Sequence, residues 1–245
     1  MYNYLLEVIR RKKAGFFCLI DSDKQDLQQS AELAKDCEKS GADAIFVGGS
    51  IMLKNDFDST VIAIKKQIKI PIIIFPGIFS LGSPHADAIL FMSLLSSRNP
   101  QLLIGEQVRA APLIKKLQVE TIPTGYLIIE SGSLTSVQYM SNSTPIPRDK
   151  NDIAIAHILA AQYLGMKIVF MDAGSGAKMS IPVNMIDAVK KNMDIPLIVG
   201  GGIKTPDDAR KKVNAGADFV VIGHAFEKNP DKNLIQNFAD AIHKG

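Results

Sequence analysis

Cysteine is nearly absent: Cys18 and Cys37 are the only two in 245 residues. They match no metal-ligand spacing and no disulfide framework, so reduced thiols are expected. Excess charge of one sign is missing too. Lys plus Arg number 28 against 25 Asp plus Glu, and the net +3 is too small for a basic field, so no nucleic-acid partner is expected. No apolar run approaches the roughly 18 residues of a membrane span. Residues 1–13 carry their positive charges after Leu5, Leu6 and Ile9, not before an apolar block. A soluble, cytoplasmic protein is expected. With 47% apolar and 22% charged residues, a solvated disordered chain is excluded, and the length allows one domain over 1–245 with a large core.

What is present is alternation. Short apolar runs at 16–20, 44–47, 72–75, 89–94, 126–129, 167–171, 197–199 and 219–222 read as eight strands covered on both faces. No Asn-Gly hairpin signal joins neighbours, so parallel pairing follows. Segments of helical period lie at 27–39, 60–68, 105–117, 153–164, 183–193, 206–215 and 234–242. The pattern predicts an α/β (β/α)8 TIM barrel, with an open doubly wound sheet as the alternative. Gly41-Ala42-Asp43 and Gly216-Ala217-Asp218 each precede a strand ending in glycine, and Ala86-Asp87 repeats a fragment of this pattern. That is internal similarity, or only the residue preference of helix-to-strand turns.

One unit breaks the alternation. Residues 76–88 contain Pro76, Gly77, Gly82 and Pro84 and leave no room for a third crossover helix. The expected consequence is a lateral slot lined by Ile78, Phe79 and Leu81, suited to a long lipid tail, or else a compact loop packing its own apolar residues. Residues 130–151, rich in Ser, Gly, Thr and Pro, follow a strand end and read as a lid or substrate loop.

Barrel active sites lie at the C-terminal strand ends. There the sequence offers Asp21, Ser22 and Asp23; Gly48, Gly49 and Ser50; Asp172 with Gly174-Ser175-Gly176; Gly200-Gly201-Gly202; and Gly223-His224. Glycine turns after strands six, seven and eight let backbone N–H groups approach an anion and read as a phosphate cradle. Asp21 and Ser50 are hard oxygen donors suited to Mg²⁺, which takes one or two protein oxygens plus substrate phosphate. The competing reading is helix capping through a Ser22-x-x-Gln25 box, Asp23 or Asp26. His85, His157 and His243 have no spaced partners and read as ordinary polar residues. His224 differs because it lies beside the cradle.

Taken together, Leu19-Ile20-Asp21-Ser22-Asp23-Lys24, Val47-Gly48-Gly49-Ser50, Pro145-Ile146-Pro147-Arg148, Phe170-Met171-Asp172-Ala173-Gly174-Ser175-Gly176-Ala177 and Val199-Gly200-Gly201-Gly202-Ile203 resemble the geranylgeranylglyceryl phosphate synthase family, which includes the bacterial heptaprenylglyceryl phosphate synthases. The resemblance covers nearly the whole chain in order. It implies a modified TIM barrel that joins a polyprenyl diphosphate, geranylgeranyl preferred, to the 3-hydroxyl of sn-glycerol 1-phosphate with Mg²⁺, in ether-lipid synthesis. Carried onto this chain, it implies Asp21 and Ser50 as metal ligands. Phe170, Met171, Asp172, Ala173, Gly174, Ser175, Gly176, Gly201, Gly202, Gly223 and His224 would be the glycerol phosphate site, and Asp172 would face the attacking hydroxyl. It further implies a homo-oligomer and transient contact with a membrane surface for product release. The family pattern usually has proline at Ser22, tyrosine at Phe170 and glutamate at Asp172, so the carboxylate here falls about 1.5 Å short. The rival readings are a sugar-phosphate isomerase or lyase, an FMN enzyme, and a non-catalytic phosphate- or lipid-binding barrel.

Overall fold

The computed structural model describes residues 1–49, 57–77, 82–227 and 231–245. Eight strands, β1 (Gly15–Ile20), β2 (Ala44–Val47), β3 (Ile72–Ile74), β4 (Ala88–Leu94), β5 (Glu120–Ile128), β6 (Ile168–Asp172), β7 (Leu197–Gly200) and β8 (Phe219–Ile222), pair in parallel and close in sequence order. Around and between them run α1 (Tyr2–Lys12), α2 (Leu27–Lys39), α3 (Phe57–Lys65), α4 (Glu106–Leu117), α5 (Ser136–Ser141), α6 (Asn151–Tyr163), α7 (Val183–Lys190), α8 (Pro206–Asn214), α9 (His224–Glu227) and α10 (Lys232–His243). Among the described residues no helix stands between β3 and β4, as the proline and glycine content there predicts.

The strands read as continuous apolar runs because one row of each faces the barrel interior and the other faces the helices. Phe17, Phe46, Ile73, Phe170 and Phe219 belong to the interior cluster, while Phe16, Cys18, Ile45, Ile74 and Met171 belong to the layer beneath the helices. The interior is filled by a chain of rings. Phe17 stacks on Phe219 at 4.6 Å and lies 4.7 Å from Phe46, Phe75 lies 5.3 Å from Phe170, and Phe170 meets Tyr126 edge-on at 5.4 Å. Each such pair contributes about 0.5–1.5 kcal/mol beyond its buried area.

Three elements depart from the sequence expectation, and the cap of a fourth resolves a choice the sequence left open. Residues 2–12 form α1, whose buried Leu5 and Val8 join the interior cluster. Strand β5 begins six residues before the expected Tyr126: Thr121, Pro123, Thr124 and Gly125 hide it in the sequence, yet all four pair in register with β4. A π-helical turn, Gln101–Gly105, precedes α4. It is tied to β4 by the Gln107 side-chain amide, which donates to the Met92 and Leu102 carbonyls. Helix α2 is capped by Asp26, whose carboxylate accepts the Gln29 N–H at 2.8 Å while Gln29 Oε1 accepts the Asp26 N–H at 3.2 Å. The box therefore uses neither Ser22 nor Gln25.

The Gly-Ala-Asp repeat has a physical cause. Asp43, Asp87 and Asp218 each stand just before an even-numbered strand, and each carboxylate accepts a backbone N–H from the start of the preceding strand. The acceptor distances are 2.9 Å to Phe16, 2.8 Å to Ile72 and 2.8 Å to Leu197. Each also takes a lysine ammonium from the last residue of the helix before that strand: Lys12, Lys65 and Lys190. One clamp thus recurs in three β-strand pairs, and in the β5/β6 pair its Asp position is Lys167. At Asp43, 3% exposed, the clamp gains His243 Nε2 at 2.8 Å. Burial pushes this carboxyl up, but the bonds from His243, Lys12 and the Phe16 N–H outweigh it and hold the group below the usual range.

Candidate active site

Because residues two apart on a strand share a face, the inward rows rise from an apolar floor to a polar rim. Ile168 and Phe170 lead to Asp172, and Phe17 and Leu19 lead to Asp21. These ends open into one cavity of about 370 Å³. Its rim carries Asp21, Gly48, Gly49, Asp172, Ser175, Gly176, Gly201, Gly202, Gly223 and His224. Its other wall is apolar, built by Leu90, Met92 and Leu94 of β4, by Leu102, Ala110 and Leu113 of the π turn and α4, and by Val137 and Met140 of α5. Ile78, Phe79 and Leu81, expected to line a lipid slot, lie outside the described residues, as does Ser50. Among the described residues, the apolar wall comes from β4, the π turn, α4 and α5.

The segment 130–151 lends Val137, Met140 and Ser141 to the cavity lining. It is anchored by the Ile129–Ile146 bridge, by the Met179 N–H donating to the Ser131 carbonyl, and by the Arg148 guanidinium, which donates to the Glu130 and Ser180 carbonyls at 2.9 and 3.2 Å.

Asp172 is 7% exposed. Its Oδ2 accepts the Tyr126 phenol at 2.6 Å and its Oδ1 accepts the Gly174 N–H at 2.7 Å. Burial raises its pKa, and the two hydrogen bonds only partly offset that. Burial also pushes the Tyr126 phenol well up, helped by the Asp172 charge and their mutual bond, so Tyr126 stays the donor. A buried carboxylate with a raised pKa is suited to accept a proton near neutral pH. Gly201, at φ +79°, passes so close that a Cβ there would sit 2.5 Å from Asp172 Oδ1 and from the Gly174 nitrogen. The glycine therefore allows the β6 and β7 turns to meet.

Tyr126 is the residue that the sequence reading misses. It sits in register with Phe170 on the adjacent strand, so the phenol absent at Phe170 reaches Asp172 from β5. Removing it provides a test. Tyr126→Phe deletes a bond that lowers the Asp172 pKa, so the acid limb of the rate–pH profile is expected to move to higher pH; a limb that stays in place contradicts the coupling.

Not every expected substrate residue turns its side chain to the cavity. Met171 and Ala173 have the opposite parity and pack beneath the helices, so their side chains are corrected to core. Gly174 lies under Thr135 of the 130–151 segment and serves Asp172 through its N–H. Phe170, Asp172, Ser175, Gly176, Gly201, Gly202, Gly223 and His224 do line the cavity.

Asp21 lies at the same rim, its carboxylate 16% exposed. Its Oδ1 accepts the Asp23 N–H at 3.1 Å, and Lys24 Nζ stands 3.4 Å from Oδ2. A Cβ on Gly49 would come within 2.6 Å of Oδ1, so glycine there leaves room for a carboxylate between the two loops. Burial raises the Asp21 pKa against the Asp23 and Lys24 interactions. Among the described residues no cluster of three or more His, Cys, Asp or Glu could hold a metal. One carboxylate at a glycine-lined rim nevertheless fits a cation that takes most of its ligands from water and substrate.

Comparison with known proteins decides the kinship: the PcrB family profile matches residues 7–242. The chain belongs to the PcrB family. It is 48% identical over 242 residues to the geranylgeranylglyceryl phosphate synthase of Methanosphaera stadtmanae, covering 98% of each chain. It is 45% identical over 243 residues to that of Chitinophaga pinensis, covering 99% of this chain and 96% of the relative. Among solved structures, the PcrB-family barrel superposes with TM-score 0.93 on the (S)-3-O-geranylgeranylglyceryl phosphate synthase of Thermoplasma acidophilum in complex with sn-glycerol-1-phosphate, at 36% identity over 98% of both chains. Thiamine phosphate pyrophosphorylase of Pyrococcus furiosus, at TM-score 0.63 and 12% identity, shares the barrel fold alone. No helix among the described residues is long and apolar enough to cross a membrane.

Proposed function

We propose that this protein is a prenyltransferase that joins a polyprenyl diphosphate, geranylgeranyl in preference, to the 3-hydroxyl of sn-glycerol 1-phosphate, releasing diphosphate, with Mg²⁺ and in ether-lipid synthesis. The observation that carries the reading is a single cavity. It has a glycine rim and a buried carboxylate at one end and an apolar wall from β4, α4 and α5 at the other. The full-length kinship with geranylgeranylglyceryl phosphate synthases supports the same substrates. A sugar phosphate would leave the apolar wall without a partner.

Each part then has a task. Backbone N–H groups of the glycine turns hold the acceptor's phosphate. Asp172, fixed by Tyr126 and Gly174, takes the proton of the 3-hydroxyl as its oxygen attacks the allylic carbon. Phe75, Phe170 and Tyr126, whose rings reach the cavity, present π faces to the positive character that develops there. The apolar wall keeps the tail out of water, and orientation of the two substrates supplies much of the rate. Asp21, with Ser50 beyond the described residues, would hold Mg²⁺, which when bound supplies positive charge against the departing diphosphate.

The test is incubation with glycerol 1-phosphate, Mg²⁺ and prenyl diphosphates of several lengths, followed by mass analysis. A prenyl ether of glycerol phosphate is expected, with geranylgeranyl giving the most product. Diphosphate release without an ether, or no reaction with any length, would overturn the reading.

A further inference from the structure

Lys24 and His224, beside the cavity rim, both point at a carboxylate that the proposed chemistry does not use. Lys24 Nζ, from the loop after β1, lies 2.8 and 3.0 Å from the two oxygens of Glu227, 3.4 Å from Asp21 Oδ2 and 3.5 Å from Ser175 Oγ. His224 Nδ1 lies 3.0 Å from Glu227 Oε2. Asp21, Ser175, His224 and Glu227 all line the cavity, so the loops after β1, β6 and β8 meet at this ammonium. The two partners differ in freedom. Glu227 is 13% exposed and follows Phe226, which is fully buried against Phe16 and Phe238. Lys24 is 42% exposed on a flexible stem. The arrangement is that of an oxyanion site whose oxyanion is the protein's own side chain.

We propose that Glu227 is an internal stand-in for a substrate phosphate: it holds Lys24 and His224 in place while the site is empty, and an incoming phosphate oxygen takes Lys24 from it. A phosphate presents more charge and more acceptor oxygens than one carboxylate, so it wins the ammonium when it reaches the rim. Glu227 therefore weakens anion binding while keeping the cation positioned. The chemistry recognised is a phosphate oxyanion, which both proposed substrates carry. The identity of that anion rests on the function proposed above, but the competition itself needs no turnover.

Calorimetric titration of sn-glycerol 1-phosphate and of inorganic diphosphate, each without added metal, tests this on wild type, Glu227→Gln and Lys24→Met, with thermal melts confirming the fold. Glu227→Gln is expected to bind one of the anions about three- to tenfold more tightly, and Lys24→Met to bind the same anion at least about tenfold more weakly. The anion that responds names the substrate concerned. Should Glu227→Gln not fold, Glu227→Asp keeps the charge, shortens its reach, and is expected to shift affinity in the same direction. A merely structural ion pair gives changes of the same sign in both variants, or none, and either result overturns the proposal. Opposite shifts without prenyl transfer would leave it standing and remove the transferase reading; transfer with unmoved affinities would do the reverse.

Discussion

Asp172→Ala is expected to lower kcat by about 10²–10⁴-fold at saturating glycerol phosphate, the range for loss of a positioned general base. That is about 3–5 kcal/mol of transition-state stabilisation. Asp172→Asn sharpens the experiment, since it keeps an oxygen for the Gly174 N–H and nearly the same volume but cannot take a proton. Both variants should fall together. Asp172→Glu should retain more activity than either, limited by the crowding that Gly201 relieves in the wild type. The pH profile follows from the burial of Asp172. Its pKa is raised, so activity is lost as pH falls through a value above the ordinary carboxylate range. Turnover of Asp172→Ala within a few-fold of wild type would remove Asp172 from proton transfer.

Asp43→Ala is expected to cost about 3 kcal/mol of stability. It strips the buried Phe16 N–H of its acceptor, worth about 1–3 kcal/mol, and leaves Lys12 without its counter-charge and His243 without its hydrogen-bond partner. For a chain of this length that corresponds to roughly 6–12 °C in Tm. The sign of the pH effect is fixed by the direction of the shift. Asp43 has a lowered folded-state pKa, so its contribution is complete above the unfolded value and is lost as pH falls toward the folded one. In melts run from pH 7 downward, the wild type should lose stability through the acid range more steeply than Asp43→Ala. Parallel curves would mean that the clamp carries no net charge-dependent stability. Because the cluster sits at the strand starts, opposite the cavity, the properly folded fraction of the variant should keep its turnover.

Much of the barrel is legible because strands covered on both faces must be apolar throughout, and that leaves compact β-branched runs. The first half of β5 escapes because Pro123 and Gly125 are turn residues in isolation, and only pairing with β4 and close packing of Gly125 against Ala161 and Leu95 make them strand. Helix α1 escapes for another reason. Its Leu5, Val8 and Ile9 have helical spacing, but their task of packing into the barrel's end is a tertiary fact.

At the site, the glycine turns and Asp172 are readable from their place after strands. Tyr126 is not, because cross-strand register puts its hydroxyl beside Asp172 although 46 residues separate them. Strand parity also corrects what motif contiguity suggests: in the run Phe170 to Gly176, alternate side chains leave the cavity, and Met171 and Ala173 belong to the core.

The proposed reaction depends on one carboxylate standing over the acceptor's hydroxyl inside the glycine rim. A crystal structure with sn-glycerol 1-phosphate bound addresses it directly. The phosphate is expected against the turns of Gly176, Gly202 and Gly223, with the 3-hydroxyl within hydrogen-bond reach of Asp172. A phosphate held elsewhere, or a 3-hydroxyl turned away from Asp172, would contradict it.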